Sequence, residues 1–235
     1  MATNCVLFVF RRDLRIQDNI GLYNAIKTAK ENKLPLYTTF IFNSEQINSY
    51  YTSDHALRFM YESLKELKKQ LITINLELTF FIVPNYIKYV NFIVKLCKTI
   101  NCNNVIFNND YTNYAKLRDN LLIEKLNENN IINNLFDDAL LFHPNNLVNK
   151  EGNGYRKFTP FYLNALKFKV LKPQRITSMN TKYTLPKLNL KFDKYITDLN
   201  YLKSYLLPIT KMTDDYHPFG DLKSQKGIDI IYIKG

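Results

Sequence analysis

Cys5-Val6-Leu7-Phe8-Val9-Phe10, followed at once by Arg11-Arg12-Asp13-Leu14-Arg15-Ile16-Gln17-Asp18-Asn19, is the stretch on which the fold of this chain turns. Six apolar residues in a row, without alternation, suit a strand buried on both faces. Three arginines and two aspartates come directly after it. In a parallel sheet such a loop lies at the carboxyl edge, where open α/β sheets bind their ligands. Two readings stay open for its guanidinium groups. They fork onto a ligand carboxylate or phosphate, or Asp13 and Asp18 pair with them and hold the loop rigid.

Working outward, strand and helix signals alternate as far as residue 165. Ile20–Ala29 reads as a helix and Leu36–Phe42 as a β-rich run. A long helix follows, capped by Thr52 or Ser53, with Leu57, Met60, Tyr61, Leu64, Leu67 and Leu71 repeating at three and four. Leu76–Val83 reads as a strand stopped by Pro84, and Tyr86–Thr99 as a helix with Val90, Ile93, Val94 and Cys97 inward. Asn104–Phe107 is a short strand. Thr112–Glu128 is a helix with Leu117, Leu121, Leu122 and Leu126 on one stripe, and Asn130–Leu135 reads as a fifth strand. Strands separated by helices of this length predict βαβ units, hence a five-stranded parallel sheet with helices on both faces. The loops after Phe10, Phe42, Val83 and Phe107 then share the ligand-binding edge. Pro160 predicts a helix reaching about Val170, and 172–200, lysine-rich with little periodicity, reads as a linker. The expected organisation is an α/β domain over 1–165 and a basic, linker-like extension over 166–235.

Composition narrows the function. A chain that is 46% hydrophobic and 23% charged is globular. No apolar run approaches the roughly 20 residues of a membrane helix, and Cys5–Phe10 is too short for a signal peptide, so an intracellular, non-secreted protein is expected. The net charge is +11, with 19 basic and 15 acidic residues up to Ala165 and 13 basic and 6 acidic from Leu166 onward. Phosphate contact by the extension accounts for that excess; so does a composition saturated with Asn, Ile, Lys and Tyr, which raises lysine everywhere. Neither a P-loop nor a G-x-G-x-x-G fingerprint is present. His55, His143 and His217 lack metal-ligand spacing. Cys5, Cys97 and Cys102 fit neither a disulfide framework nor a zinc site, and Asp137-Asp138 reads as a turn because adjacent residues in an extended segment point apart.

Four blocks, in order, resemble the DNA photolyase and cryptochrome family. Val6 to Asn19 is similar to its W-F-R-R-D-L-R-x-x-D-N opening. Ala56-Leu57-Arg58-Phe59 with Ser63-Leu64 resembles its R-x-x-F-L-x-x-S-L helix. Asn109-Asp110-Tyr111-Thr112-Asn113-Tyr114 with Arg118-Asp119 resembles N-x-D-x-x-P-Y…R-D. Tyr155-Arg156-Lys157-Phe158-Thr159-Pro160-Phe161-Tyr162 is similar to the Y-x-V-F-T-P-F-x block that ends the family's α/β domain.

The resemblance implies a Rossmann-like N-terminal domain that, in many members, holds an antenna pigment, either methenyltetrahydrofolate or a deazaflavin. A helical C-terminal domain binds FAD and repairs a flipped pyrimidine dimer by light-driven electron transfer. Arg11, Phe40, Phe42, Arg58 and Asp110 stand where deazaflavin-binding members contact the pigment, and Thr112 stands where many members carry an acidic residue. About 70 residues follow the last block, too few for the helical domain. Tyr216-His217-Pro218-Phe219-Gly220 is an eroded counterpart of the W-x-x-G-E segment, and the chain contains no tryptophan at all. The expectation is therefore a truncated or split photolyase-type antenna domain supporting light-dependent DNA repair, inactive as a deoxyribodipyrimidine photo-lyase by itself, with FAD not expected on this chain alone. Its expected partners are a separately encoded helical FAD domain, docked on Arg11–Asn19 and Tyr155–Tyr162, and DNA along the basic extension. The alternatives are a pigment-free nucleic-acid or protein interaction module, and a non-functional remnant of a disrupted gene.

Overall fold

The computed structural model describes residues 4–47, 53–186 and 194–196, together with Lys203 and Leu206. Along them run β1 (Cys5–Phe10), α1 (Ile20–Glu31), β2 (Leu36–Asn43), the single turn α2 (Ser44–Ile47) and α3 (Asp54–Thr73). Next come β3 (Leu78–Val83), α4 (Tyr86–Thr99), β4 (Cys102–Asn108), α5 (Asn113–Glu128) and β5 (Ile132–Phe136). A 3-10 turn at Pro144–Asn146, α6 (Phe158–Ala165) and β6 (Lys194–Ile196) complete the described elements.

The sheet runs β5-β4-β1-β2-β3-β6. Its first five strands are mutually parallel. Every residue of β1 and β3 is buried, because side chains alternate between two apolar layers. Val6, Phe8 and Phe10 face the layer made with α1 and α3, while Cys5, Leu7 and Val9 face the layer made with α4 and α5. That two-sided burial is why these strands carry continuous apolar runs.

Polar residues fix the ends of the helices. Asn19, Ser53, Asn85 and Thr112 accept from the backbone N–H of Leu22, Ala56, Lys88 and Ala115 respectively, so each supplies an N-cap. Lys33, Asn75, Asn101 and Asn130, just past the ends of α1, α3, α4 and α5, adopt left-handed φ values of 54° to 60°. Asparagine fills three of these positions, which usually fall to glycine. Among the described residues, the glycine set by close approach is Gly21: a Cβ there would strike the Asn108 side chain and lie 2.9 Å from the Phe8 ring.

Three features depart from the sequence reading. Leu117 is 67% exposed, because the inward face of α5 carries Ala115, Arg118, Asp119, Leu122 and Leu126 instead. The helix expected to reach Val170 ends at Ala165. The stretch 172–200 is more than a spacer. The Met179 N–H donates to Ile74 O at 2.9 Å, and Asn75 Nδ2 returns a bond to Met179 O at 2.8 Å. Met179 and Leu206 enter one apolar layer and Leu185 the other. β6 then pairs antiparallel with β3 through Phe80–Ile82, satisfying part of an edge that would otherwise present free backbone groups. Thr52, Tyr216–Gly220 and the C-terminal tail fall outside the described residues.

Candidate functional site

The direction in which successive strands join the sheet reverses between β1 and β4, the place where open α/β sheets bind ligands beyond the carboxyl ends of their strands. A cleft of about 670 Å³ lies there. The loop after β1 lines it with Arg11, Arg12, Asp13 and Arg15, and the β4–α5 loop with Asn108 to Thr112. Asp138, Ala139 and Leu140, after β5, close its third side.

The first loop is held from below. Asp13 accepts from the Arg11 N–H at 2.8 Å, from Asn19 Nδ2 at 3.1 Å and from Asn108 Nδ2 at 2.6 Å. Asn19 therefore caps α1 and ties the loop to β4 at once. The arginines do form ion pairs, but with Asp119, Asp110 and Asp138 in place of Asp13 and Asp18. Arg11 pairs with Asp119 at 2.6 Å, both side chains less than a tenth exposed, and stacks at 3.9 Å over the Phe107 ring. Arg15 pairs with Asp138 at 2.9 Å. Arg118 Nε also reaches Asp119, at 2.8 Å. Two guanidinium groups thus share one buried carboxylate. Arg11 Nε and Nη2 and Arg118 Nη2 are buried with no acceptor among the described residues. A buried cation with free N–H groups favours an anionic or carbonyl-rich neighbour.

Asp137 and Asp138, read from sequence as a turn, were missed as site residues. Their side chains do point apart, but each one is used. Asp138 accepts from the Ile20 N–H at 2.8 Å, and its burial raises its pKa against the opposing pull of that bond and of Arg15. Asp137 accepts from Tyr111 Oη and Asn109 Nδ2, both at 2.7 Å. Burial, then the bond to Asp137, push the Tyr111 phenol well above its ordinary value. A raised pKa in the folded state means stability that is present below about pH 10 and lost as pH rises past it. Tyr111→Phe is therefore expected to flatten the fall in urea midpoint above pH 10; an unchanged alkaline slope would show that Tyr111 ionises as freely folded as unfolded.

The sequence-predicted residues divide between two places. Arg11 and Asp110 meet in the cleft, with Asp110 3.7 Å from the exposed Arg12. Phe40 and Phe42 line a separate apolar pocket of about 220 Å³ against Ala56, Leu57 and Met60 of α3. Arg58, half-buried on α3, lines neither. Thr112 serves as the N-cap of α5, a task its hydroxyl performs at 3.3 Å from the Ala115 N–H.

Beyond Leu140 the cleft opens into an apolar groove of about 900 Å³ walled by Leu141, Phe142, Tyr155, Phe161, Leu166 and Val170, among others. Leu141 is 75% exposed and Leu166 62%. Lys150, Arg156, Lys157, Lys167, Lys169 and Lys172, in the chain segment that lines it, are exposed, against the single carboxylate of Glu151 in that stretch.

Residues 6–178 match the family described as DNA photolyase. The chain belongs to that family. It is 29% identical over 164 residues to the deoxyribodipyrimidine photo-lyase of Buchnera aphidicola subsp. Baizongia pistaciae, covering 70% of this chain and 34% of that protein. Identity to the Vibrio cholerae enzyme of the same name is 30% over 152 residues, covering 65% and 32%. For cryptochrome-2 of Arabidopsis thaliana it is 27% over 157 residues, covering 67% and 24%. The chain thus spans about a third or less of the curated relatives it matches. Among solved structures, the archaeal photolyase of Sulfolobus tokodaii superposes with a TM-score of 0.64 at 27% identity, over 86% of this chain and 41% of that one. That structure holds two FAD molecules and implicates a novel light-harvesting cofactor. A class III photolyase from Agrobacterium tumefaciens shares the fold, with a TM-score of 0.66 at 24% identity over 88% of this chain and 39% of that one. This photolyase-family chain has, among the described residues, no helix long and apolar enough to cross a membrane.

Proposed function

We propose that this chain is the chromophore-binding N-terminal domain of a light-dependent DNA repair protein. Its pigment would be a methenyltetrahydrofolate, a deazaflavin or, as in the Sulfolobus tokodaii photolyase, a flavin. The observation that carries the reading is the cleft between β1 and β4, where Arg11 presents buried, unpartnered N–H groups beside an apolar opening at Leu140. Its volume lies in the range of about 300–1,000 Å³ typical of small-molecule sites. Arg11 would hold a carbonyl or anionic edge of the pigment and Asp110 a donor edge, while the Asp13–Asn19–Asn108 network keeps both loops in place. A bound pigment of this kind absorbs near-ultraviolet to violet light and passes the energy to a catalytic flavin.

The decisive experiment is reconstitution of the purified chain with each of the three pigments, read by absorption and fluorescence. One pigment is expected to bind near stoichiometrically. Arg11→Met leaves Asp119 paired with Arg118 and is expected to weaken that binding about tenfold or more, the worth of a charge-assisted hydrogen bond. Equal binding by the variant, or no binding of any pigment, would overturn the reading.

A helical FAD-binding half is the partner this function requires. The apolar groove beyond Leu140, where Tyr155, Phe161 and Tyr162 contribute, is the surface we assign to it; DNA would meet the cations around that groove. The same groove favours a second reading, a protein-interaction module without pigment. Failure of all three pigments together with capture of a photolyase helical half would select it.

A further inference from the structure

The chain has three cysteines, and the fold brings all of them together at the end of the sheet opposite the cleft. Cys5 opens β1, Cys102 opens β4, and Cys97 lies in the last turn of α4. All three belong to the same apolar layer, and all are free thiols. Cys5 and Cys102 are direct register partners across the β1–β4 ladder, beside a local irregularity between Cys5 and Val6. Adjacent strands lie about 4.7–4.9 Å apart, within the span of roughly 4.4–6.8 Å between the Cα atoms of a disulfide. Here the two side chains leave the sheet on the same face.

Cys102 is the hub of the group. It shares hydrogen bonds with the thiols of Cys5 and Cys97, and these hold its pKa below the ordinary value despite burial. The same bond to Cys102, followed by burial, pushes Cys5 up. Cys102 is also the least enclosed of the three, 5% exposed against 1% for Cys5 and none for Cys97.

We propose that Cys5 and Cys102 form a reversible disulfide on oxidation by a hydroperoxide, making this end of the β1–β4 ladder a redox-modification site. The Cys102 thiolate attacks one peroxide oxygen, the O–O bond breaks, and the released hydroxide leaves as water after taking a proton. The sulfenic acid left on Cys102 is attacked by the Cys5 sulfur. The S–O bond breaks, a second water departs with the Cys5 proton, and the S–S bond forms. Two thiols lose two electrons and one peroxide gains them. Cys97, in contact with Cys102, remains the third thiol. The rung it stands beside would tie together the amino ends of the two strands whose carboxyl ends form the cleft.

The test uses the full chain treated with hydrogen peroxide, then denatured, blocked with N-ethylmaleimide and mapped by mass spectrometry. The expected product has lost two hydrogens, takes up one maleimide in place of three, and yields a linked Cys5–Cys102 peptide that dithiothreitol separates. Cys97→Ser keeps the link and Cys102→Ser abolishes it. Three maleimides after treatment, a Cys97–Cys102 bond as the main product, or conversion only to sulfinic and sulfonic acids would each overturn the proposal. Because the wild-type map alone gives these outcomes, the test survives a variant that fails to fold.

Discussion

Asp119→Ala is expected to cost about 3–5 kcal/mol, the penalty for breaking a buried ion pair from one side. The carboxylate is the shared counter-charge of Arg11 and Arg118 at 2.6 and 2.8 Å. Both arginines are largely withdrawn from water, with side chains 6% and 10% exposed. Removing Asp119 therefore leaves two cations in the interior with no carboxylate between them. Domains of this kind hold only about 5–15 kcal/mol in total, so the urea midpoint should fall by a large fraction. Arg11→Met should cost much less, since Asp119 keeps Arg118. The double variant Arg11→Met/Asp119→Ala should recover part of the single-site loss, because only one unpaired cation remains. A midpoint for Asp119→Ala within about 1 kcal/mol of wild type, in the range of exposed pairs, would show that the triad is solvated.

Asp13→Ala acts on the same site from the other side. Its carboxylate receives three bonds, from the Arg11 N–H, Asn19 Nδ2 and Asn108 Nδ2. Alanine leaves the Arg11 N–H and one Asn108 N–H without this acceptor, each costing about 1–3 kcal/mol when unmet, while Asn19 Nδ2 keeps the backbone carbonyls of residues 13 and 15. Water entering from the adjoining cleft would relieve some of this, and a loss of about 3 kcal/mol or more is expected by urea denaturation. Pigment binding should fall further than stability alone explains, because Asn19 and Asn108 anchor the two loops that face the ligand. An unchanged pigment affinity in the folded variant would mean that the network supports the fold and not the site.

The sheet and its helices were legible because the inner strands are buried on both sides and so spell largely apolar runs, as Cys5–Phe10 does. Leu117 shows where that logic stops. Apolar periodicity seats leucines inward, but α5 turns Arg118 and Asp119 into the interior to meet Arg11, and Leu117 rotates out to solvent. The pairing of Arg11 with Asp119 spans 108 positions, and nothing local announces it; Asp13 and Asp18 were the nearer and more obvious partners. Asp137 and Asp138 were hidden for a similar reason, since their partners Tyr111 and Arg15 come from two other loops. β6 was missed because three residues carry no readable period. Arg11 and Asp110 were among five residues named through family resemblance; their meeting in one cleft rests on the strand order.

β6 has a consequence for how the protein is made. Synthesis delivers β3 early and leaves its outer edge bare while more than a hundred further residues are added. That edge is a run of buried, mostly apolar residues, Leu78-Thr79-Phe80-Phe81-Ile82-Val83, just the kind of ladder that recruits strands from other chains. Only when Lys194–Ile196 arrive, after the chain has passed from the β5 side of the sheet to the β3 side, is part of that edge closed. On the ribosome, the interval between β3 and β6 is the period when a nascent chain is open to pairing with its neighbours on the same messenger.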